Sequence, residues 1–244
     1  MGVRMPRPRF IVSSLPAEGG SADLSDEEAA HARARRLSVG DPVVLIDGSG
    51  AEADGEISLL GRSGAQVTVS TVRAAGEAGL EIWLGVAAVR SERLSWIAEK
   101  SGELGVTRFA LIRSGRTQFD RAGAAALSRL ERLVREAAKQ SGGTRWPRCE
   151  GPLDLGRALH DAPGAARFFV DFSGDAVPAR LAARSAAILV GPEGGWTGPE
   201  RDAARKAGWS VVGLPAATLR TETAAIAAVI LVRAAMTRQV TGDR

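Results

Sequence analysis

The sequence predicts an α/β protein in two parts, a small β-rich domain over residues 1–72 and a larger domain over residues 80–244 built on a mostly parallel sheet. Three observations carry this expectation. Up to about residue 72, short apolar runs alternate with polar residues, the period-two pattern of half-buried strands. From residue 80 onward the apolar runs are separated by longer segments of helical periodicity, as βα units require. Between the two lies the polar, glycine-bearing stretch 73–79, which reads as a linker.

In the first part the strands are Phe10-Ile11-Val12, Val43-Val44-Leu45-Ile46, Ile57-Ser58-Leu59 and Val67-Thr68-Val69. A capping box, Ser25-Asp26-Glu27-Glu28, opens one short helix that runs to about Arg36, and Asp47-Gly48-Ser49-Gly50 turns the chain. In the second part the strands are 80–88, 109–112, 168–172, 187–190 and 210–214. A helix over 91–104 is closed by Gly105. A second, 124–140, puts Leu127, Leu130, Val134 and Ala138 on one face and Arg129, Arg132, Glu136 and Lys139 on the other. Thr197-Gly198-Pro199-Glu200 is a capping box with proline in the first turn, and Gly208 ends that helix. The last helix, 223–237, is apolar almost all round to Val232, which predicts burial, possible also against a second subunit.

Composition narrows the function classes. The longest uncharged apolar stretch, 223–232, is far short of the roughly 20 residues that cross a bilayer, and residues 1–10 lack a signal-peptide apolar region. A soluble protein of the cytoplasm is expected. Cys149 is the only cysteine and His31 and His160 are the only histidines, so disulfides are excluded and a Cys/His metal site lacks ligands. The net charge of +4 is unevenly spread, with residues 1–72 at −3, 73–150 at +5 and 151–244 at +2. Of 32 cations only Lys100, Lys139 and Lys206 are lysine. Arginine forks suit phosphates and base edges, which fits an RNA partner; an arginine-rich genome composition gives the same count.

Two segments are candidates for chemistry. Gly191-Pro192-Glu193-Gly194-Gly195 follows directly on a strand, at the carboxyl end where open α/β sheets hold ligands. It carries neither a dinucleotide fingerprint nor a Walker lysine, so it is a ligand loop of another kind or a tight strand-to-helix turn. Leu219-Arg220-Thr221-Glu222-Thr223-Ala224 opens the last helix. Thr221 or Thr223 suits a cap and Glu222 suits the helix dipole, whereas the cation of Arg220 is unfavourable there and calls for a carboxylate or phosphate partner.

These two segments, in this order and spacing, resemble the GPEGG and LRTETA signatures of the RsmE family of 16S rRNA uridine-N3 methyltransferases. Weaker matches are Glu103-Leu104-Gly105-Val106, Gln140-Ser141 followed by Pro147, Arg9-Phe10, and Arg36-Leu37 before Val39-Gly40-Asp41, so the resemblance spans nearly the whole chain. It implies a PUA-like β-barrel for RNA binding and a C-terminal SPOUT domain with a deep trefoil knot, knot and cofactor site lying in about 168–230. The implied cofactor is S-adenosylmethionine, the implied partner the small ribosomal subunit, and the implied assembly a homodimer with no metal and no membrane.

By position, the resemblance assigns the cofactor to Phe172, Leu189, Gly191, Glu193, Gly194, Gly195, Leu214, Leu219, Thr221, Thr223 and Ala224. Arg220 and Glu222 become the catalytic candidates, Arg220 for charge on the uracil carbonyls or a phosphate and Glu222 as base or positioner; Glu222 could equally clamp Arg220. RNA contacts fall to Arg9, Arg36, Arg113, Arg116 and Arg132. Trp146, Trp196 and Trp209 could stack on a base or anchor the core. Departures from the family are Arg90, Gly115, Lys139 (usually acidic), Gly143, Pro215 and Ala217. Alternatives are a SPOUT methyltransferase for another rRNA or tRNA nucleotide, and a ribosome binder without catalysis.

Overall fold

The computed structural model describes residues 7–62, 64–74, 79–87, 91–117, 123–216 and 218–240. Arg90 and Ala217 lie outside them. The chain divides into two compact units: residues 1–78 with 139–145, and residues 79–138 with 146–244. The return of 139–145 to the small unit has no counterpart in the sequence pattern.

The small unit is a five-stranded sheet of order β1-β3-β4-β5-β2, with β1 (Arg9–Ile11), β2 (Ser21–Leu24), β3 (Pro42–Ile46), β4 (Glu52–Leu60) and β5 (Ala65–Arg73). Only the β1 and β3 pair is parallel. Alternation aims Ala53 and Ile57 of β4, and Ala65, Val67 and Val69 of β5, at a core shared with Phe10, Val43, Leu45 and Leu24. Helix α1 (Asp26–Ala34) adds Ala29 and Ala32. Ser25 caps it by accepting from the Glu28 amide at 3.3 Å.

The expected capping box is only half formed. The Glu28 carboxylate turns inward, accepts from the Ile11 amide at 3.2 Å, and takes Lys139 Nζ at 2.8 Å on both oxygens. Lys139 also stands 5.7 Å above the Phe10 ring. Around it, the Gly50 amide donates to the Thr144 carbonyl at 3.1 Å and Arg9 Nη2 to the Gly143 carbonyl at 3.1 Å. These contacts explain why 139–145 belongs to this unit, and why a cation stands at position 139.

The large unit is a six-stranded, wholly parallel sheet of order β11-β9-β10-β6-β7-β8. Its strands are β6 (Glu81–Ala87), β7 (Arg108–Arg113), β8 (Arg148–Asp154), β9 (Ala166–Ala176), β10 (Ser185–Val190) and β11 (Ser210–Gly213). Its helices are α2 (Ser91–Glu103), α3 (Gly123–Gln140), α4 (Leu155–Asp161), α5 (Gly198–Lys206) and α6 (Thr221–Val240). Both faces are covered, as a parallel sheet demands. On one face Ile82, Leu84 and Val86 pack with Leu94, Ile97, Leu130, Val134, Val229 and Val232 of α2, α3 and α6. On the other, Trp83, Ala187, Leu189 and Phe169 meet Leu155, Leu159 and Ala204 of α4 and α5, with Trp196 and Trp209. No helix among the described residues is long and apolar enough to cross a membrane.

One irregularity shapes the carboxyl edge. β11 pairs Val211 with Phe169 but its next residue, Val212, with Asp175, so residues 170–174 of β9 are skipped in the ladder with β11, while Val170 still pairs with Val190 of β10. Bulges of this kind re-aim side chains. Asp171, in the skipped stretch, is buried and accepts from Ser173 N at 3.0 Å, Ser173 Oγ at 2.6 Å and Arg201 Nη1 at 3.2 Å. Phe172 is thrown outward, 83% exposed, beneath the Arg201 guanidinium. Gly174 lies against Val212, where a Cβ would stand 2.4 Å from a backbone carbon. Gly174→Ala is therefore expected to cost about 1–3 kcal/mol by overpacking, read as a lower urea midpoint of tryptophan fluorescence.

Cys149 on β8 is half-buried, and burial, assisted by the Glu131 and Glu150 carboxylates, pushes its thiol up to about 12. Its reaction with a disulfide reagent at pH 8 is expected to be about a thousandfold slower in the native protein than in urea, because the thiolate is the reactive form. Equal rates would contradict this burial.

Candidate active site

A cleft of about 410 Å³ opens at the carboxyl edge of the large unit, lined by Phe172, Pro192, Glu193, Gly194, Gly195, Leu214, Ala216, Thr218, Leu219 and Ala224. Its floor is the loop that follows β10, held by its neighbours at several points. The Gly191 carbonyl accepts from Thr221 Oγ1 at 3.1 Å, which ties the start of α6 to the loop. The Gly194 carbonyl accepts from Arg116 Nη1, and the Glu193 carboxylate pairs with Arg93 Nη1. Within the loop the Gly195 amide closes a turn on the Pro192 carbonyl at 2.8 Å, with Gly195 at φ +67°, a backbone that favours glycine. Gly191 lies on the Trp196 indole, where a Cβ would stand 2.9 Å from the ring.

α5 is anchored beside this loop. Its capping box is complete: the Glu200 amide donates to Thr197 Oγ1 while the Glu200 carboxylate accepts from the Thr197 amide at 2.7 Å. The second Glu200 oxygen accepts from the Gly115 amide at 2.8 Å, so the turn after β7 is fixed to the same helix end.

The residues expected at the cofactor divide into two groups. Phe172, Glu193, Gly194, Gly195, Leu214, Leu219 and Ala224 line the cleft. Leu189 does not, because β10 directs it into the core beneath α4 and α5, at 0% exposure. Gly191 and Thr221 form the strap just described, and Thr223 is exposed on α6 outside the lining. Pro192, Ala216 and Thr218 are additional lining residues.

The two catalytic candidates differ in environment. Arg220 is exposed and its guanidinium has no hydrogen bond or ion pair among the described residues. Glu222 is largely buried; its Oε1 lies 3.6 Å from Arg93 Nε, while its Oε2 is buried without a hydrogen-bond partner among the described residues. The clamp between Glu222 and Arg220 is thus replaced by one with Arg93, a residue the sequence reading passed over. The signal was available, since Arg93 is a cation in the first turn of a helix, the same electrostatic oddity that marks Arg220.

Of the arginines expected on RNA, Arg36 and Arg132 are exposed without an ion pair among the described residues. Arg9 is engaged by Glu52 at 3.2 Å and the Gly143 carbonyl, Arg113 stands 3.7 Å from Asp154, and Arg116 holds Gly194. In the small unit Arg7, Arg9 and Arg73 gather with Asp54 around a hollow of about 400 Å³. The Arg73 hydrogen bond, with Arg7 nearby, holds the Asp54 carboxyl below the usual carboxylate range. Trp196 and Trp209 are core anchors, donating to the Val170 and Leu159 carbonyls at 2.9 and 3.0 Å. Trp146 lies under the Arg135 guanidinium. Among the described residues no group of three or more His, Cys, Asp or Glu could hold a metal ion.

Residues 76–233 match the family model of the RNA methyltransferase domain, and residues 24–70 that of the RNA methyltransferase PUA domain. Ribosomal RNA small subunit methyltransferase E of Mycobacterium bovis is 31% identical over 231 residues, covering 90% of this chain and 88% of that protein. The chain belongs to the RsmE family of small-subunit rRNA methyltransferases. Among solved RsmE structures, that of Neisseria gonorrhoeae bound to S-adenosyl methionine is 27% identical with a TM-score of 0.86, covering 95% of this chain and 98% of that one. A probable rRNA-methyltransferase of Porphyromonas gingivalis is 28% identical with a TM-score of 0.84, covering 95% and 99%. These likenesses make the two units of this RsmE chain a PUA-like domain and a SPOUT-type methyltransferase domain.

Proposed function

We propose that the protein methylates N3 of a uridine in the decoding region of 16S rRNA, using S-adenosylmethionine, on the assembled small subunit in the cytoplasm. The observation that carries this is the pairing of a small-molecule cleft with an unpartnered Arg220 and an unpartnered Glu222 Oε2 in and beside the segment that forms its rim. The cleft fits the cofactor: its volume lies within the roughly 300–1,000 Å³ of small-molecule sites. Phe172, Leu214 and Leu219 give apolar walls, and Gly194 and Gly195 let backbone approach a ligand closely.

The cofactor supplies an electrophilic methyl group on its sulfonium. The protein has to align that group with N3, remove the weakly acidic imide proton and stabilise the charge left on the uracil. Glu222 Oε2 accepts the N3 proton, and the Arg220 fork donates to a carbonyl oxygen of the same ring. The exposed Arg36 and Arg132 suit phosphates, which makes the interaction with RNA steeply salt-dependent.

The reading includes a homodimer, supported by Trp96 on α2 and Ile230 on α6, apolar yet 42% and 49% exposed on packed helices. It also includes the trefoil knot. The chain leaves Gly191, runs through α5 to the edge strand β11, and comes back to the Gly191 carbonyl at Thr221, a near-closed loop of the kind a knot needs.

The test is transfer of labelled methyl from S-adenosylmethionine to small subunits lacking this modification, followed by nucleoside mass spectrometry and mapping. N3-methyluridine at one decoding-region position is the expected product. A different methylated nucleoside or site would redirect the activity, and no product despite subunit binding would make the protein a non-catalytic binder.

A further inference from the structure

Three charged side chains from three separate elements of the large unit meet beside the cleft: Arg93 of α2, Glu193 of the loop after β10 and Glu222 of α6. Arg93 spans the two carboxylates with different nitrogens, Nη1 toward Glu193 and Nε toward Glu222. Their side chains are 28%, 53% and 16% exposed, so the cation faces inward and its two partners run from the cleft wall to the helix start. We infer that Arg93 is a positioning residue that fixes the Glu222 carboxylate and the cofactor loop as one ionic unit, leaving Glu222 Oε2 as the acceptor for the substrate proton.

The orphaned oxygen is the central observation. A buried carboxylate oxygen with no donor among the described residues is costly to keep, which suits an acceptor completed when substrate binds. A uracil edge offers one N–H between two carbonyl oxygens, so a carboxylate there must present a single free oxygen at a defined angle. Arg93 supplies that definition by engaging Oε1. Its other arm acts on the cleft itself, because Glu193 is a lining residue beside Gly194, whose carbonyl Arg116 holds. Without the cation, Glu193 and Glu222 would be two like charges within reach of one vacated spot, and repulsion would move both the loop and the base. A shift of about 1 Å in a reacting group lowers turnover by about 100-fold.

This rests on the methyltransferase reading above, and the test separates the two. Arg93→Met keeps side-chain length and removes the charge; Arg93→Lys keeps the charge but not the two-armed fork. For Arg93→Met, kcat on small subunits is expected to fall about 10- to 100-fold while KM for the subunit changes less than about threefold. Arg93→Lys is expected to recover part of the loss. Calorimetric titration of the apo protein with S-adenosylmethionine, which needs no RNA, is expected to show about 3- to 10-fold weaker binding in Arg93→Met, with the thermal midpoint close to wild type.

The decisive comparison is Arg93→Met made in a Glu222→Gln background. A residue that acts through Glu222 causes little further loss of kcat there, because the two changes remove one function. A full additional loss in that background, or wild-type kcat and cofactor affinity in Arg93→Met, would overturn the assignment. Failure of the wild-type protein to methylate subunits would defeat the proposed reaction and the Glu222 half of the inference, while the calorimetry would still decide the Glu193 half.

Discussion

Replacing Arg220 with alanine is expected to lower kcat on small subunits by about 100- to 1,000-fold, the range seen when one donor to a developing oxyanion is removed. The fold is expected to be unaffected, for a reason specific to this residue. Its guanidinium is exposed and has no partner among the described residues, so truncation strands no buried group. It also precedes the first residue of α6, where a cation opposes the helix dipole, so its removal should leave stability unchanged or raise it by about 0.3–1 kcal/mol. Single-turnover methyl transfer and urea unfolding, measured on the same preparation, separate the two quantities. Wild-type turnover in this variant would remove Arg220 from the chemistry.

The second large effect is structural and lies in the small unit. Lys139 and Glu28 are 7% and 6% exposed and meet at 2.8 Å, an ion pair out of reach of water. Replacing Lys139 with methionine leaves the Glu28 carboxylate buried and uncompensated, at an expected cost of about 3–5 kcal/mol. That is a large share of the roughly 5–15 kcal/mol that stabilises a domain. The pair itself need not be worth so much, so Lys139→Met combined with Glu28→Gln should recover much of the loss. Fluorescence will not report this change directly, since all five tryptophans (83, 96, 146, 196 and 209) lie in the large unit. Amide exchange of β1 and α1 is the suitable probe. Unchanged protection in the single variant would show that water reaches the pair.

Much of this architecture was legible because the physics that forms it is local. A parallel sheet covered on both faces writes continuous apolar strands separated by helices, and β6, β7, β10 and β11 stand close to where their runs of valine, leucine and isoleucine predict them. The elements that sequence periodicity does not reveal have visible reasons. β8 carries Gly151 and Pro152 and sits at the sheet edge, where proline is tolerated but the strand pattern is broken. β2 is four residues long, half of them exposed. At the site, the glycine loop and the start of α6 are contiguous motifs and were readable as such. Arg93 showed in the sequence only as a cation in the first turn of a helix; what it pairs with was not readable, because its partners are 100 and 129 positions away and no local pattern connects them. Leu189 shows the converse: adjacency to a motif in sequence placed it at the ligand, while strand alternation turned its side chain to the opposite side.

The late return of residues 139–145 bears on how this polypeptide can be made and divided. A ribosome synthesising it exposes Glu28 long before Lys139 exists, so the small unit cannot neutralise its interior until more than half of the chain has emerged. For the same reason a fragment cut at residue 78 would be a domain in sequence length but not in electrostatic terms. Gene fusion at that point would move the β-strands and leave their counter-ion behind. The heritable form of this PUA-like unit is two pieces of coding sequence, and recombination has to carry both.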